Sequence, residues 1–251
     1  MAEFSKSNII YIYDGAFEGF LCCVFESFTR KEIPSDILSQ KDAHTNLLEQ
    51  FNITTDIKKA NRVKKSIPQK MGFEAFALLE NTLLTCLKHK EMFMLDFMRL
   101  GYKAGSKITN MLDNNTVMTL TKAVKQMANE VNKFTGFIRF SVHGDLLISK
   151  IKPKNYVLRH IAPHFAARMP NEKFVIFDET HNMICAYAKG RYAISEISGI
   201  ELPKADNEEQ RYRNLWKMFH DTIAIKTRKH PNCQMTLMPK RYRSNMTEFQ
   251  P

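Results

Sequence analysis

Three carboxylates near the start of the chain are the first residues that could carry chemistry. Asp14 follows the apolar run "NIIYIY", and Glu18 and Glu26 come soon after it. Two carboxylates held close together can exchange protons with a substrate or bind Mg²⁺. Asp14 is also the first half of an Asp-Gly turn, where aspartate commonly bonds its own backbone. The sequence therefore leaves two roles open for Asp14, a catalytic carboxylate or the hinge between a strand and a helix.

A second candidate group lies in "LRHIAPHFAAR", where His160, His164 and Arg168 recur at four-residue steps. On a helix this spacing places the three side chains on one face, where they could hold a metal ion or a phosphate. The histidines lack a cysteine partner and the glutamate of a zinc protease motif, so we expect no metal site. Phosphate contact by His164 and Arg168 fits the spacing better than a metal site does, and ordinary packing of these side chains stays open beside it.

The basic end of the chain is the third candidate site. Residues 211–251 hold nine Lys and Arg against two Asp and Glu. Cationic side chains bind nucleic-acid phosphates, and an aromatic ring among them can stack on a base. We predict that this segment contacts nucleic acid, with base stacking by Tyr242 and phosphate contacts from Arg228, Lys229, Lys240, Arg241 and Arg243. The alternative is an ordinary basic surface in which some cations complement a helix C-terminus.

The whole chain is basic, with 251 residues, a formal net charge of +11 and a pI near 9.4. A charge of this size attracts polyanions, of which nucleic acid is the commonest in a cell. We find no nucleotide-binding glycine loop, hydrolase nucleophile motif or deaminase motif, and we expect no cofactor. The five scattered cysteines and the lack of a long apolar run indicate a cytoplasmic protein that does not enter a membrane.

Apolar spacing and turn residues predict the elements that position these groups. Residues 8–13 are β-branched and aromatic, as in a strand, and apolar residues then recur at helical spacing up to residue 29. Further helices are predicted over residues 35–40, 55–68, 72–100, 113–134 and 208–229. The last of these carries a stripe that we expect to be buried, consisting of Leu215, Trp216, Phe219 and Ile223.

Strand patterns replace helix patterns between residues 137 and 197, apart from a helix over residues 156–168. Apolar and polar residues alternate around His143-Gly144, which indicates a β-hairpin, and a second hairpin and a third strand are predicted from residue 173 onward. We therefore predict an α+β fold, mostly helical, with an N-terminal strand and β-hairpins in residues 137–197 packed on helices. Since no linker or repeat is evident, residues 1–251 are expected to form a single domain.

Five stretches spread along the chain carry a family resemblance. They are "YDGAFEGFLCCVFESF" from Tyr13, "NKFTGFIRF" from Asn132, "PHFAARMPNEKFVIFD" from Pro163, "LWKMFHDTIAIKTRKHPNCQ" from Leu215 and "MPKRYRSNMTEF" from Met238. Together they resemble a bacterial family labelled "probable DNA metabolism protein". This family is a domain of unknown function typically linked to a radical SAM protein, and some members are fused to a uracil-DNA glycosylase-like domain. The resemblance implies a part in DNA repair or modification without stating a reaction.

The resemblance also implies candidate functional residues at the matching positions, which are Asp14, Gly15, Phe17, Gly19, Arg139, His164, Arg168, Arg228, Asn232, Gln234, Lys240, Arg241 and Tyr242. This chain departs from the family pattern at Arg243, where an aromatic is usual, and at His160, where an apolar residue is usual. The leading hypothesis is a cytoplasmic accessory protein that binds DNA and assists a partner radical SAM enzyme. The alternatives are an enzyme acting on DNA through an Asp14/His164/Arg168 pocket and a pure protein-interaction module.

Overall fold

The computed structural model describes residues 4–43, 47–197, 207–223 and 230–246. It is an α+β structure with parallel strands near the N-terminus and a five-stranded mixed sheet further on, which confirms the predicted class. The chain divides into two compact units, residues 1–126 and 127–251. The single domain expected over residues 1–251 stays a prediction. Within the described ranges, none of the helices has the length and apolar character needed to cross a membrane.

The first unit contains a three-stranded parallel sheet and a separate parallel pair of very short strands. The pair consists of β1 (Ser5–Lys6) and β3 (Glu32–Ile33), and the sheet consists of β2 (Ile9–Tyr13), β4 (Asp36–Ser39) and β5 (Glu49–Asn52), with β2 in the centre. β2 is a continuous apolar run because a central parallel strand is covered on both faces. Its last four residues are buried, so the chain passes directly from the core to the exposed Asp14.

Helices make up most of the rest of the first unit. They are α1 (Phe17–Arg30), α2 (Ile57–Met71), α3 (Phe73–Leu83) and α4 (Lys90–Ala104), followed by a 3-10 helix (Gly105–Asn110). α1 begins close to its predicted position, after a turn in which Gly15 has a φ of 85° that favours glycine. Asp56 caps the first turn of α2 with its carboxylate. The helices bury a common core that includes Phe20, Leu79 and Phe97.

Two helix predictions in the first unit are wrong. Residues 36–39, expected in a helix, form β4, because Ile37 is fully buried and pairs with Tyr11 of β2. The helix predicted over residues 72–100 is two helices, α3 and α4, joined by a turn in which His89 has a left-handed backbone with a φ of 51°. The ammonium of Lys90 fixes this turn by donating to the carbonyls of Leu83 and Thr85.

The second unit contains a five-stranded mixed sheet. In order across the sheet, its strands are β10 (Arg191–Glu196), β9 (Met183–Ala188), β8 (Lys173–Asp178), β7 (Leu146–Ile151) and β6 (Ser141–His143). Both predicted hairpins and the third strand are confirmed, and the first hairpin turns at Gly144, whose φ is 62°. β7 and β8 are parallel, and α6 (Leu158–Arg168) connects them, because parallel neighbours need a crossover.

Two of the remaining elements were predicted, α5 (Asn115–Phe137), which passes from the first unit into the second at residue 127, and α7 (Asn207–Ile223). The sequence analysis did not predict the other two, α8 (Pro231–Leu237) and a final 3-10 helix (Lys240–Asn245). The side chain of Asn114 caps α5. The core of the second unit includes Phe165, Phe174 and Tyr187, and the rings of Phe174 and Tyr187 stack with centroids 4.7 Å apart.

Candidate functional site

Asp14 is held at the strand-to-helix joint by bonds within the first unit. One of its carboxylate oxygens accepts from the backbone N–H of Ala16 at 2.9 Å, and the other accepts from the hydroxyl of Thr55 at 2.6 Å. A Cβ added at Gly19 would lie 2.1 Å from Oδ1 of Asp14, so only glycine leaves room for this carboxylate against the first turn of α1. These contacts support the hinge role for Asp14, and its catalytic role stays a prediction.

The other two acidic candidates each have a cationic partner on α2. Glu18 accepts from the ammonium of Lys64 at 3.2 Å, and Glu26 accepts from that of Lys59 at 2.7 Å. Both pairs join α1 to α2 and are partly exposed, so each contributes little to stability on its own. Because Asp14, Glu18 and Glu26 all have separate partners, the structure offers no sign that they act as a carboxylate pair.

The histidine and arginine candidates lie on α6 of the second unit, in unlike surroundings. His164 and Arg168 are exposed, and the ring of His164 contacts the edge of Phe165 with centroids 5.0 Å apart. His160 is half-buried, and its Nε2 has no hydrogen-bond partner among the described residues. Across the same residues, no group of three or more His, Cys, Asp and Glu side chains is arranged to hold a metal ion. Phosphate contact by His164 and Arg168 stays a prediction.

We expect His160 to make the folded protein sensitive to acid. Burial lowers the pKa of His160, and the positive charge of Arg159 lowers it further. The unfolded chain therefore binds this proton more readily, and the free energy of unfolding should fall as the pH drops through about 6.5, the ordinary histidine pKa. The variant His160→Gln has no imidazole to protonate at this position. Its free energy of unfolding in urea should therefore differ less between pH 7.5 and pH 5.5 than that of the unaltered protein. His164→Gln, at the exposed position one turn away, should keep the wild-type difference, and equal behaviour of the two variants would contradict the assignment.

In the basic C-terminal segment of residues 211–251, which we call the basic tail, Arg241 contacts a buried carboxylate. Glu130 of α5 is only 3% exposed, and its oxygens pair with the guanidinium of Arg241 and accept from the backbone N–H groups of Lys154 and Asn155, both at 3.0 Å. A buried carboxylate is stable only when it is paired and hydrogen-bonded, and this one is both. Arg241 therefore has a structural task in the second unit.

Tyr242 is buried in the same region. It is 7% exposed, and its ring packs against Phe134 and Phe137 with centroids 5.0 and 5.8 Å away, while its hydroxyl accepts from Arg241 at 2.6 Å. The segment around Tyr242 therefore packs on the core of the second unit. A ring enclosed in this way has no free face for a base, so the stacking predicted for Tyr242 gains no support from its placement.

The other predicted nucleic-acid-binding residues differ in whether their cationic groups already donate hydrogen bonds within the protein. Lys240 is exposed, whereas Arg243 donates from Nε to the carbonyl of Met238 at 3.0 Å. Arg139 donates to the carbonyls of residues 136 and 138, both at 3.2 Å. Arg228 and Lys229 lie outside the described residues. As phosphate ligands, all five remain predictions.

The aromatic side chains of α7 are exposed. The expected burial is wrong for all four residues of the predicted stripe, Leu215, Trp216, Phe219 and Ile223. Tyr212, Trp216 and Phe219 are 62%, 45% and 52% exposed, and the rings of Trp216 and Phe219 lie 5.9 Å apart between centroids. Their spacing of four and three residues places them on one helix face. We call this exposed row of rings the α7 aromatic face.

A hydrogen bond holds α7 on the sheet while leaving these rings free. Arg213, the residue after Tyr212, contacts the hydroxyl of Ser141 in β6. A second feature beside the helix is a shallow cavity of about 390 Å³, which Arg211, Leu215 and Met218 help to line. Sequence reasoning missed the α7 aromatic face because a stripe at helical spacing looks the same whether a core or the solvent lies beside it.

These features define an α+β protein whose second unit carries an exposed row of aromatic side chains on one helix. Residues 88–248 match the family described as a domain of unknown function, DUF4130. Because the match covers more than half of the chain, this protein belongs to that family. No curated protein matches the chain.

Proposed function

We propose that this protein binds DNA through its basic C-terminal segment, with unpaired bases stacking on the α7 aromatic face. The exposure of Tyr212, Trp216 and Phe219 is the single observation that carries the proposal. Rings of this size are usually covered in a monomer, and exposed aromatic rings are what proteins use to stack the bases of single strands. Every base has a ring face to offer, so such binding tolerates many sequences.

We assign phosphate contact to the cations of this C-terminal segment. Residues 211–251 carry seven more Lys and Arg than Asp and Glu, which is most of the excess in a chain of net charge +11. Arg211 and Lys240 are exposed, and Arg228 and Lys229 follow α7 in the sequence. The guanidinium of Arg241 is already paired with Glu130, so we assign it to structure instead of DNA. We likewise assign base stacking to the rings of α7 instead of Tyr242, which is buried.

The second part of the proposal is an accessory role beside a radical SAM enzyme acting on DNA. It rests on the resemblance of the chain to the DNA-metabolism family. The enzymatic alternative, a pocket of Asp14, His164 and Arg168, has no observation in its favour, because the oxygens of Asp14 bond Ala16 and Thr55. Co-purification of the two proteins, with and without damaged DNA, tests the partnership.

Affinity for single-stranded DNA is expected to fall steeply with salt. Each phosphate contact releases counterions and contributes about 0.7 to the slope of log affinity against log salt for a single strand. Four contacts, from Arg211, Arg228, Lys229 and Lys240, predict a linear plot with a slope of about −3. The measurement is the fluorescence anisotropy of a labelled oligothymidylate between 50 and 300 mM NaCl. The same strand annealed to its complement should bind more weakly, and a flat salt response or tighter duplex binding would contradict the proposal.

A further inference from the structure

A groove in the first unit has the size and lining of a ligand site, and no residue of this groove takes part in the DNA binding proposed above. It lies between α1, α2 and the end of α4 and has a volume of about 390 Å³. Ligand pockets for small organic molecules fall in the range of roughly 300–1,000 Å³. Phe25 and Phe28 from α1 and Tyr102 from α4 form its aromatic lining, and Val24 and Val63 complete the apolar part.

Two cations stand at opposite ends of the groove. Arg62 and Lys70 lie eight residues apart on α2, which is about 12 Å along the helix axis. Each is near an aromatic ring, Arg62 at 5.9 Å from Phe25 and Lys70 at 5.6 Å from Tyr102. Neither forms an ion pair with any residue that the structure describes. Two other cations of the same helix, Lys59 and Lys64, are paired with glutamates of α1, whereas Arg62 and Lys70 keep their positive charges beside the groove.

A pair of hydroxyls supplies hydrogen-bond acceptors between these ends. The hydroxyl of Ser66 donates to the carbonyl of Val63 at 2.7 Å, so in its 2.7 Å contact with Tyr102 it must accept. Tyr102 is then the donor of that bond, and burial raises its pKa, which keeps it protonated. Both hydroxyl protons are therefore used, while lone pairs on both oxygens remain. This part of the groove accepts hydrogen bonds from a ligand and does not donate them.

We propose that this groove binds a nucleoside phosphate. The base lies among the rings of Phe25, Phe28 and Tyr102, and the phosphate meets the guanidinium of Arg62, whose planar fork fits phosphate oxygens in pairs. The Ser66 and Tyr102 hydroxyls and the ammonium of Lys70 can all bond a nucleobase. Its N–H groups can donate to the hydroxyls, and its ring nitrogens or carbonyls can accept from Lys70. An aromatic acid without N–H groups would leave the hydroxyl acceptors unused. The site is in the first unit and does not depend on the α7 aromatic face.

The test is isothermal titration of the full chain with the four deoxynucleoside monophosphates, with inorganic phosphate and with deoxyadenosine as partial ligands. Saturable binding of at least one monophosphate is expected, at least tenfold tighter than inorganic phosphate or the nucleoside, since each partial ligand fills only half of the groove. Arg62→Gln should weaken the binding at least tenfold. Lys65→Gln removes the same charge from an exposed position of α2 outside the groove and should leave the affinity unchanged.

The outcomes also separate the two sources of such a ligand, a free nucleotide and a nucleotide within a strand. Binding of the monophosphate that depends on Arg62 identifies a free nucleotide. If only an oligodeoxyadenylate binds, and Arg62→Gln weakens it while Lys65→Gln does not, the source is a strand. Trp216→Ala should leave monophosphate binding unchanged, because Trp216 is not part of the groove. The groove proposal can therefore hold even if DNA does not bind at α7. If Arg62→Gln and Lys65→Gln behave alike with every ligand, the proposal is wrong.

Discussion

Replacing Trp216 with alanine is expected to weaken binding of single-stranded DNA between about fivefold and a hundredfold. One base stacked on an aromatic side chain contributes roughly 1–3 kcal/mol, and Trp216 lies in the middle of the α7 aromatic face, between Tyr212 and Phe219. The side chain is 45% exposed and lies outside the core, so its removal should change the free energy of unfolding little. The measurement is the anisotropy of a labelled oligothymidylate at low salt.

The chain offers a matched control for this experiment. Tyr192 of β10 is 44% exposed, as Trp216 is 45% exposed, and it lies in the same unit. Tyr192→Ala should bind DNA like the unaltered protein. If the two variants bind equally well, whether both are weakened or neither is, the α7 aromatic face is not the stacking surface.

Replacing Glu130 with alanine is expected to lower the free energy of unfolding by about 3–5 kcal/mol. The substitution leaves the guanidinium of Arg241 without its partner and removes the acceptor for the N–H groups of Lys154 and Asn155. These donors tie the segment after β7 and the basic tail to α5. Urea unfolding of the full chain measures the change, and Glu172→Ala, at an exposed glutamate of the same unit, should change it little.

Arg241→Met extends the test to the other partner. It leaves the buried carboxylate of Glu130 uncompensated, so it too should destabilise the protein by several kcal/mol. If Arg241 were instead a free phosphate ligand, this variant would lose DNA affinity and keep its stability. If neither Glu130→Ala nor Arg241→Met changes the free energy of unfolding, the ion pair does not stabilise the fold.

Local signals were enough for several parts of the fold. The apolar run ending at Tyr13, the Asp-Gly turn and the amphipathic spacing that follows predicted β2 and α1. The alternation around Gly144 predicted the first hairpin, because a hairpin depends on neighbouring residues and on a turn that accepts positive φ. These features are determined within a few residues of one another.

Other parts depend on partners far away in the sequence. Residues 36–39 carry no strong strand pattern, yet they become β4 because β2 presents an open edge to them. The apolar stretch over residues 72–100 shows no breaker, and its turn is fixed by tertiary bonds from Lys90. Propensity is a weak prior in such cases, since long-range pairing and packing override it.

The candidate sites show the same division. The chemistry of the tail was apparent from its cations, but the pairing of Arg241 with Glu130 joins residues 111 positions apart and leaves no trace in local spacing. For the same reason, the sequence could not show that Tyr242 is enclosed while Trp216 is exposed. Both are aromatic residues among cations, and only the fold decides which of them has a free ring face.

The central claim, that unpaired bases stack on α7, is tested most directly by the intrinsic fluorescence of the protein. Trp216 is the one tryptophan in the sequence, so all tryptophan emission reports on the α7 aromatic face. Titration with oligothymidylate should quench this emission saturably, with the same dissociation constant that anisotropy gives for the labelled strand. Unchanged emission while the labelled strand is bound would show that DNA binds elsewhere, and would contradict the account.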